Sequence, residues 1–97
     1  KQILNQSSNN TADLLKFSEE GIALFPAQPY VYLLKGKTLN DLKKYKNALI
    51  TLQNGFDFVI DDKMEVDFYT EIAKAFKGLG NSKEEKKYTQ KAKNLKN

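Results

Sequence analysis

The fold is decided by residues 32–55, which read YLLKGKTLNDLKKYKNALITLQNG. The same pattern returns 37 positions later, so that aromatic residues fall on aromatic ones, small on small and apolar on apolar. The matched pairs are Tyr32 with Tyr69, Gly36 with Ala73, Leu39 with Phe76, Leu42 with Leu79 and Gly55 with Ala92. A unit that recurs every 20 to 50 residues or so is typical of solenoids, and the shift of 37 positions lies within that range. The stacked units of a solenoid share one core and expose an extended surface. The repeat therefore predicts a binding module.

The spacing of apolar residues around this stretch predicts an all-α chain. Apolar positions recur three and four residues apart almost everywhere, and no stretch of strict alternation competes with them. Pro29 suits the first position of a helix, and Gly78 with Gly80 predicts a helix end. The expected helices cover about residues 12–25, 29–42, 45–59, 62–77 and 82–95. Short links between them favour stacked antiparallel helix hairpins.

Three helix starts carry sequence signals for a cap. Asn10 or Thr11 is expected to cap the first helix. Asp62 with Glu65 and Ser82 with Glu85 have the spacing of capping boxes, in which each side chain bonds a free amide of the first turn. These pairs predict the starts of the fourth and fifth helices.

Composition excludes most catalytic and metal chemistry. The chain has 97 residues, enough for one small domain, and it contains no His, Cys, Trp or Arg. The chain therefore has no histidine that could activate a nucleophile and no thiolate that could bind zinc. An enzyme is not expected, no cofactor is expected, and the absence of cysteine leaves the cellular compartment open.

The net charge of +4 comes entirely from the tail. Residues 1–82 hold ten lysines and ten acidic residues, whereas residues 83–97 hold six lysines and only Glu84 and Glu85. The narrow apolar stripe of the last helix, Tyr88, Ala92 and Leu95, is typical of a helix with one covered side. We interpret the lysines as the solvated face of a terminal helix rather than as a nucleic-acid or membrane patch.

The repeat resembles the tetratricopeptide repeat (TPR), a helix-turn-helix unit of about 34 residues with a large aromatic residue early in its first helix and small residues at helix crossings. One full unit carries Tyr32, Gly36, Leu39, Tyr45, Ala48, Leu52 and Gly55, and the second carries Tyr69, Ala73, Phe76, Leu79, Gly80 and Ala92. The resemblance implies a single TPR-like α-solenoid domain over 1–97. It divides into a half-repeat at 1–28, a first repeat at 29–62, and a second repeat with a capping helix at 63–97.

The resemblance also implies a noncatalytic scaffold that binds a peptide or protein segment in a concave groove, lined by the first helix of each hairpin. The implied groove residues are Tyr30, Lys37, Asn40, Asp41, Asp67, Thr70, Glu71, Lys74 and Lys77. Family members that hold the terminal carboxylate of acidic chaperone peptides use Lys, Arg and Asn there. This chain has Leu33 and Glu71 among the matching positions, so that ligand is not expected. A plain solvated helix face remains the alternative for these residues.

A second functional class is a helical-repeat module that binds single-stranded RNA, since related arrays read RNA base by base. The mixed acidic lining of the implied groove would repel phosphate, so no nucleic acid is expected as a partner. Five carboxylates between Asp57 and Asp67 invite a calcium hypothesis. No glycine stands among them as a calcium loop requires, and no metal site is expected.

The first helix differs from the last in having a wide apolar face that includes Leu14, Phe17, Ile22 and Phe25. Only Ile3 and Leu4 precede it to cover that face. We expect the chain to be part of a longer protein, and self-association through this helix to be possible. No apolar run approaches the length of about 20 residues that spans a bilayer, so membrane insertion is not expected.

Overall fold

The computed structural model describes residues 2–96, with side chains from residue 10 onward. It contains five α-helices: α1 (Gln2–Leu24), α2 (Pro29–Asp41), α3 (Tyr45–Phe56), α4 (Asp62–Gly78) and α5 (Ser82–Lys96). Residues 2–96 contain no strand, which confirms the prediction of an all-α fold.

Consecutive helices pack against each other, and α2 also packs against α4. The turns between helices are short, so each consecutive pair forms a helical hairpin. The whole has principal extents of 40 × 30 × 23 Å. None of the helices in the described part of the chain is both long enough and apolar enough to cross a membrane.

Two predicted helix bounds are wrong. Helix α1 begins at Gln2, so Asn10 and Thr11 lie inside it and do not cap it. The extension is allowed because no glycine or proline precedes Gly21, and serine or asparagine inside a helix costs less than about 1 kcal/mol relative to alanine. Helix α3 ends at Phe56 rather than Val59, because the amides of Phe58 and Val59 bond carbonyls three residues back in a tighter turn.

Both helix caps lie one residue before the predicted position, and Met64 stands where a capping box after Asp61 would need Glu or Gln. The carboxylate of Asp61, not of Asp62, accepts from the backbone amide of Met64 at 2.7 Å. Likewise the side-chain oxygen of Asn81, not of Ser82, accepts from the amide of Glu84 at 3.2 Å. A capping residue has to keep an extended backbone outside the helix, as Asp61 does with φ −133° and ψ 159°.

The turns that close α2 and α4 are copies of each other. Lys43 and Gly80, 37 positions apart, both adopt the left-handed conformation, with φ of 62° and 78°. The amide that follows each of them donates to a carbonyl five residues earlier, at 2.8 and 2.9 Å. This is the Schellman turn, in which a left-handed residue satisfies the free carbonyls of a helix end. The sequence repeat is therefore also a repeat of local structure.

The core is built from large side chains that lie on small ones. Leu33, Leu52, Phe68 and Ile72 form a buried cluster contributed by α2, α3 and α4. Leu52 lies against Gly36, and the Tyr32 ring lies against Gly55, so the α2 and α3 backbones approach closely at both places. Half-buried aromatic rings extend the cluster toward α5, through Phe56, Tyr69, Tyr88 and Phe76.

Gly55→Val is expected to destabilise the fold. A Cβ at this position would overlap the Cβ of Tyr32, which is fixed to the α2 backbone and cannot rotate away. Overpacking of this kind costs about 1–3 kcal/mol, and valine regains little helix propensity over glycine, so we expect a loss of about 2 kcal/mol. Urea unfolding measures the loss. Asn54→Val, on the exposed side of the same turn, is the control and should stay within about 0.5 kcal/mol.

Candidate functional site

A buried polar pair joins α2 to α4. The Asn40 side-chain amide donates to the backbone carbonyl of Glu71 and to its carboxylate Oε1, at 3.0 Å each. Asn40 is 6% exposed and Glu71 is 5% exposed. Lys74 Nζ lies 3.4 Å from the other carboxylate oxygen of Glu71. A buried carboxylate is stable only when its oxygens are bonded, so this pair fixes how α4 lies on α2.

The amide oxygen of Asn40 is buried and has no hydrogen-bond partner within the described part of the chain. Both donors of the amide are used by Glu71, which determines the orientation of the side chain. An unbonded acceptor of this kind lowers the stability of the fold and marks a place where an added donor would be favoured.

The remaining groove residues predicted from the sequence lie at or near the surface. Tyr30, Lys37 and Asp41 on α2 are exposed, and their side chains make no hydrogen bond or ion pair to other described residues. Of the predicted groove residues on α4, Thr70, Lys74 and Lys77 are exposed and Asp67 is half-buried. Most of the predicted groove residues are therefore open to solvent, whereas Asn40 and Glu71 are bonded to each other in the contact between α2 and α4.

The structure brings three predicted groove residues together with α5. Thr70, Lys74 and Lys77 line a hollow of about 290 Å³ between α4 and α5. Lys93 and Lys96 of the basic tail line the same hollow. Sequence reasoning placed these two lysines on a solvated face and did not connect them with the groove. The usable signal was the 37-residue shift, which aligns them with residues of α3 and its following turn that pack in the core.

Asp67 lines a second hollow, of about 360 Å³, with Leu95 and Lys96. It lies three residues before Thr70 on α4, and Lys96 lines both hollows. Tyr30 lies in the first turn of α2 and is 55% exposed. Neither Asp67 nor Tyr30 lines the hollow of Thr70, Lys74 and Lys77.

A row of aromatic rings forms a further hollow of about 270 Å³, lined by Phe56, Tyr69 and Tyr88. Lys91 Nζ lies 5.7 Å from the centre of the Tyr69 ring and 5.9 Å from that of Tyr88, within range of a cation–π interaction. The hydroxyl of Tyr69 donates to the Glu65 carboxylate at 2.9 Å. Burial, this hydrogen bond and the Glu65 charge raise the pKa of Tyr69 to about 12.

The acidic stretch from Asp57 to Asp67 serves helix α4, since Asp61 caps it and Glu65 accepts from Tyr69. Within the described residues, no three acidic side chains come close enough to hold a metal ion.

The outer side of α1 is apolar and open to solvent. Phe17 is 60% exposed and Leu24 is 72% exposed, with Leu14 and Phe25 exposed beside them. On the opposite side, Leu15 packs near Leu39 and Ala48 in a second small cluster. Self-association through the open side of α1 stays a prediction.

Comparison with known proteins gives no protein-family model, no curated protein and no solved structure that matches this chain. Functional inference therefore rests on the residues and on the geometry that they form.

Asn40→Ala is expected to lower the free energy of unfolding by about 1–3 kcal/mol, because the Glu71 carboxylate stays buried after losing its Asn40 donor. Urea unfolding at neutral pH measures the change. Asn47→Ala on α3 removes the same group from an exposed position and should change stability by less than about 0.5 kcal/mol. Equal effects of the two substitutions would contradict a structural role for the buried pair.

The contribution of Tyr69 to stability is expected to fall at high pH. Its pKa is raised from 10.0 to about 12 in the folded chain, so the folded state favours the neutral phenol. The stabilisation is complete below pH 10.0 and is lost as the pH rises toward about 12. Absorbance titration should show a late tyrosinate step that disappears in Tyr69→Phe. In Glu65→Gln the same step should move toward pH 10.0, and a step that stays in place would be evidence against the bond to Glu65.

Proposed function

We propose that this chain is a noncatalytic, TPR-like α-solenoid scaffold that binds a peptide or protein segment along the face shared by α2 and α4. The observation that carries the proposal is the side-by-side contact of α2 with α4, which leaves a row of exposed polar side chains across both helices. Extended faces built from equivalent helices of successive units are the surfaces that helical-repeat proteins use for binding.

The repeated geometry supports the solenoid part of the proposal. The Schellman turns at Lys43 and Gly80 are 37 residues apart. Gly55 receives the ring of Tyr32, and Ala92, its counterpart 37 positions later, is buried as well. Equivalent turns and equivalent close contacts are what stacking of like hairpins produces.

The fixed position of the face supports the binding part. The Asn40–Glu71 bonds hold α2 against α4. Lys37 and Asp41 on α2 therefore keep a fixed position relative to Thr70 and the other exposed residues of α4. A rigid face loses little conformational entropy when a segment docks on it. Ligand recognition by such a face needs polar side chains that are not already paired, and Lys37 and Asp41 are of that kind.

Binding of single-stranded RNA is the alternative function, and the face is poorly suited to it. Bases stack on exposed aromatic side chains, and the predicted groove offers only Tyr30. Asp41 and Asp67 also place carboxylates on the surface that phosphates would approach.

Peptides selected from a random display library on the immobilised chain test the proposal. When a selected peptide is titrated into isotope-labelled protein, the amide signals of Lys37, Asp41 and Thr70 are expected to shift first. Lys37→Glu combined with Asp41→Lys keeps the net charge and should weaken binding more than about tenfold, roughly 1.4 kcal/mol.

The matched control is Lys46→Glu combined with Asp57→Lys, an exposed pair on and just beyond α3 that should leave affinity unchanged. An oligouridine should cause no shift at about 0.15 M salt. Selected peptides that shift signals only outside α2 and α4, or an oligouridine that binds more tightly than they do, would contradict the proposal.

A further inference from the structure

Helix α4 lies in a seat formed by α2 and α3, and the residues of this seat can be read from its contacts. Phe68 and Ile72 of α4 are buried in one cluster with side chains of the seat, Ala75 lies in a second cluster, and Glu71 is bonded by the seat. We call six of the residues that share these contacts the α4 seat: Leu33, Asn40, Ala48, Leu52, Phe56 and Val59. Tyr32, Leu39, Tyr45 and Leu49 belong to the same clusters but are not included in the seat.

A second seat with the same layout lies between α4 and α5. Adding 37 to each residue number of the α4 seat gives Thr70, Lys77, Glu85, Thr89, Lys93 and Lys96. All of these residues line the hollow of about 290 Å³ described above. Its other lining residues, Ala73, Lys74 and Ala92, correspond to Gly36, Lys37 and Gly55, which are not part of the α4 seat. The hollow therefore occupies, one repeat later, the place in which α4 is received.

The second seat resembles the earlier repeat unit in its small residues and differs from it in most of its apolar ones. Ala73 and Ala92 are each 7% exposed and small, like their counterparts Gly36 and Gly55, at which α2 and α3 pack against each other. The apolar residues of the α4 seat correspond to threonine or lysine in the second seat, except that Ala48 corresponds to Glu85. An apolar helix would have to desolvate those ammonium groups without pairing them, which is unfavourable.

The charge of the second seat is positive. Lys77, Lys93 and Lys96 make no ion pair with any described residue, and Lys74 is 3.4 Å from Glu71. Glu85 is the single carboxylate among the residues that line the hollow. Unpaired ammonium groups that converge on one concave surface attract a segment with carboxylates.

The α4 seat shows where such a carboxylate would lie. There Asn40 of the seat donates to the carboxylate of Glu71, which the incoming helix brings. In the second seat Lys77 stands in the place of Asn40. A lysine at that position is a stronger partner for a carboxylate than a neutral amide, because the hydrogen bond becomes charge-assisted on both sides.

We propose that the second seat binds an acidic amphipathic helix of a partner protein, with a glutamate or aspartate on Lys77 and further carboxylates on Lys93 and Lys96. The proposal goes beyond the proposed function, because the second seat lies between α4 and α5 and is a different surface from the face shared by α2 and α4. Nucleic acid fits less well, because no aromatic side chain lines the second seat on which a base could stack.

The test uses the whole 97-residue chain and a helix-forming peptide of 17 residues, the length of α4, built from Glu, Ala and Leu with its glutamates on one face. A peptide with Gln in place of every Glu is the control ligand. The acidic peptide is expected to shift the amide signals of Thr70, Lys77, Thr89 and Lys93, and added salt should weaken it. The control peptide should bind more than about tenfold more weakly.

Charge reversal at the second seat is compared with the same reversal elsewhere. Lys77→Glu, Lys93→Glu and Lys96→Glu together should weaken the acidic peptide more than about tenfold. Lys46→Glu, Lys83→Glu and Lys86→Glu together change the net charge equally at exposed positions outside the hollow, and should weaken it less than about twofold. Circular dichroism melting checks that both variants fold, and Lys77→Gln alone gives a milder test that should weaken binding severalfold.

Four results would overturn the proposal: no binding of the acidic peptide, equal weakening by both triple variants, tighter binding of an oligouridine at the same residues, or self-association of the chain through these lysines. If one of these results is obtained but the signals of Lys37 and Asp41 still shift with display-selected peptides, the scaffold function is supported and only the acidic partner is contradicted. Shifts confined to the second seat would instead support the acidic partner and count against binding along α2 and α4.

Discussion

Close backbone approach at glycine holds neighbouring helices in place, and the positions of the other elements follow from it. Leu52 lies on Gly36, and Tyr32 lies on Gly55, so α2 and α3 meet at two points where a large side chain of one helix packs on a glycine of the other. Because Cβ atoms at these places would overlap their neighbours, α2 and α3 have little freedom to slide or rotate against each other. Their fixed arrangement forms the surface on which α4 packs.

Polar bonding then selects one position of α4 on that surface. Apolar contacts such as those of Phe68 are not directional, and several helix positions would bury similar areas. The Asn40–Glu71 bonds require one register, since a shifted α4 would leave a carboxylate buried without its donor. Apolar burial stabilises the packing of α4 on α2 and α3, and the Asn40–Glu71 pair fixes its register. Lys37 and Thr70 consequently hold fixed places on adjoining helices.

Much of the fold could be predicted from residues that act locally. Pro29 starts α2 and Gly80 follows the end of α4, because each restricts or permits a backbone conformation regardless of its neighbours. Caps were harder to place, since adjacent polar residues such as Asp61 and Asp62 have equal affinity for a helix start. The burial of Asn40 could not be predicted, because a polar residue on a helix does not reveal whether another helix covers it. The position of Lys93 could not be predicted for a similar reason, because its neighbours across the hollow come from α4.

The second seat keeps small residues at Ala73 and Ala92, while the residues around them are polar rather than apolar. The positions Thr70, Thr89, Lys93 and Lys96 lie outside the buried clusters, so they can vary without disturbing the folded framework. Returning them to leucine, leucine, phenylalanine and valine would recreate the lining that receives α4. An engineered apolar helix could then pack on α4 and α5 in the way that α4 packs on α2 and α3.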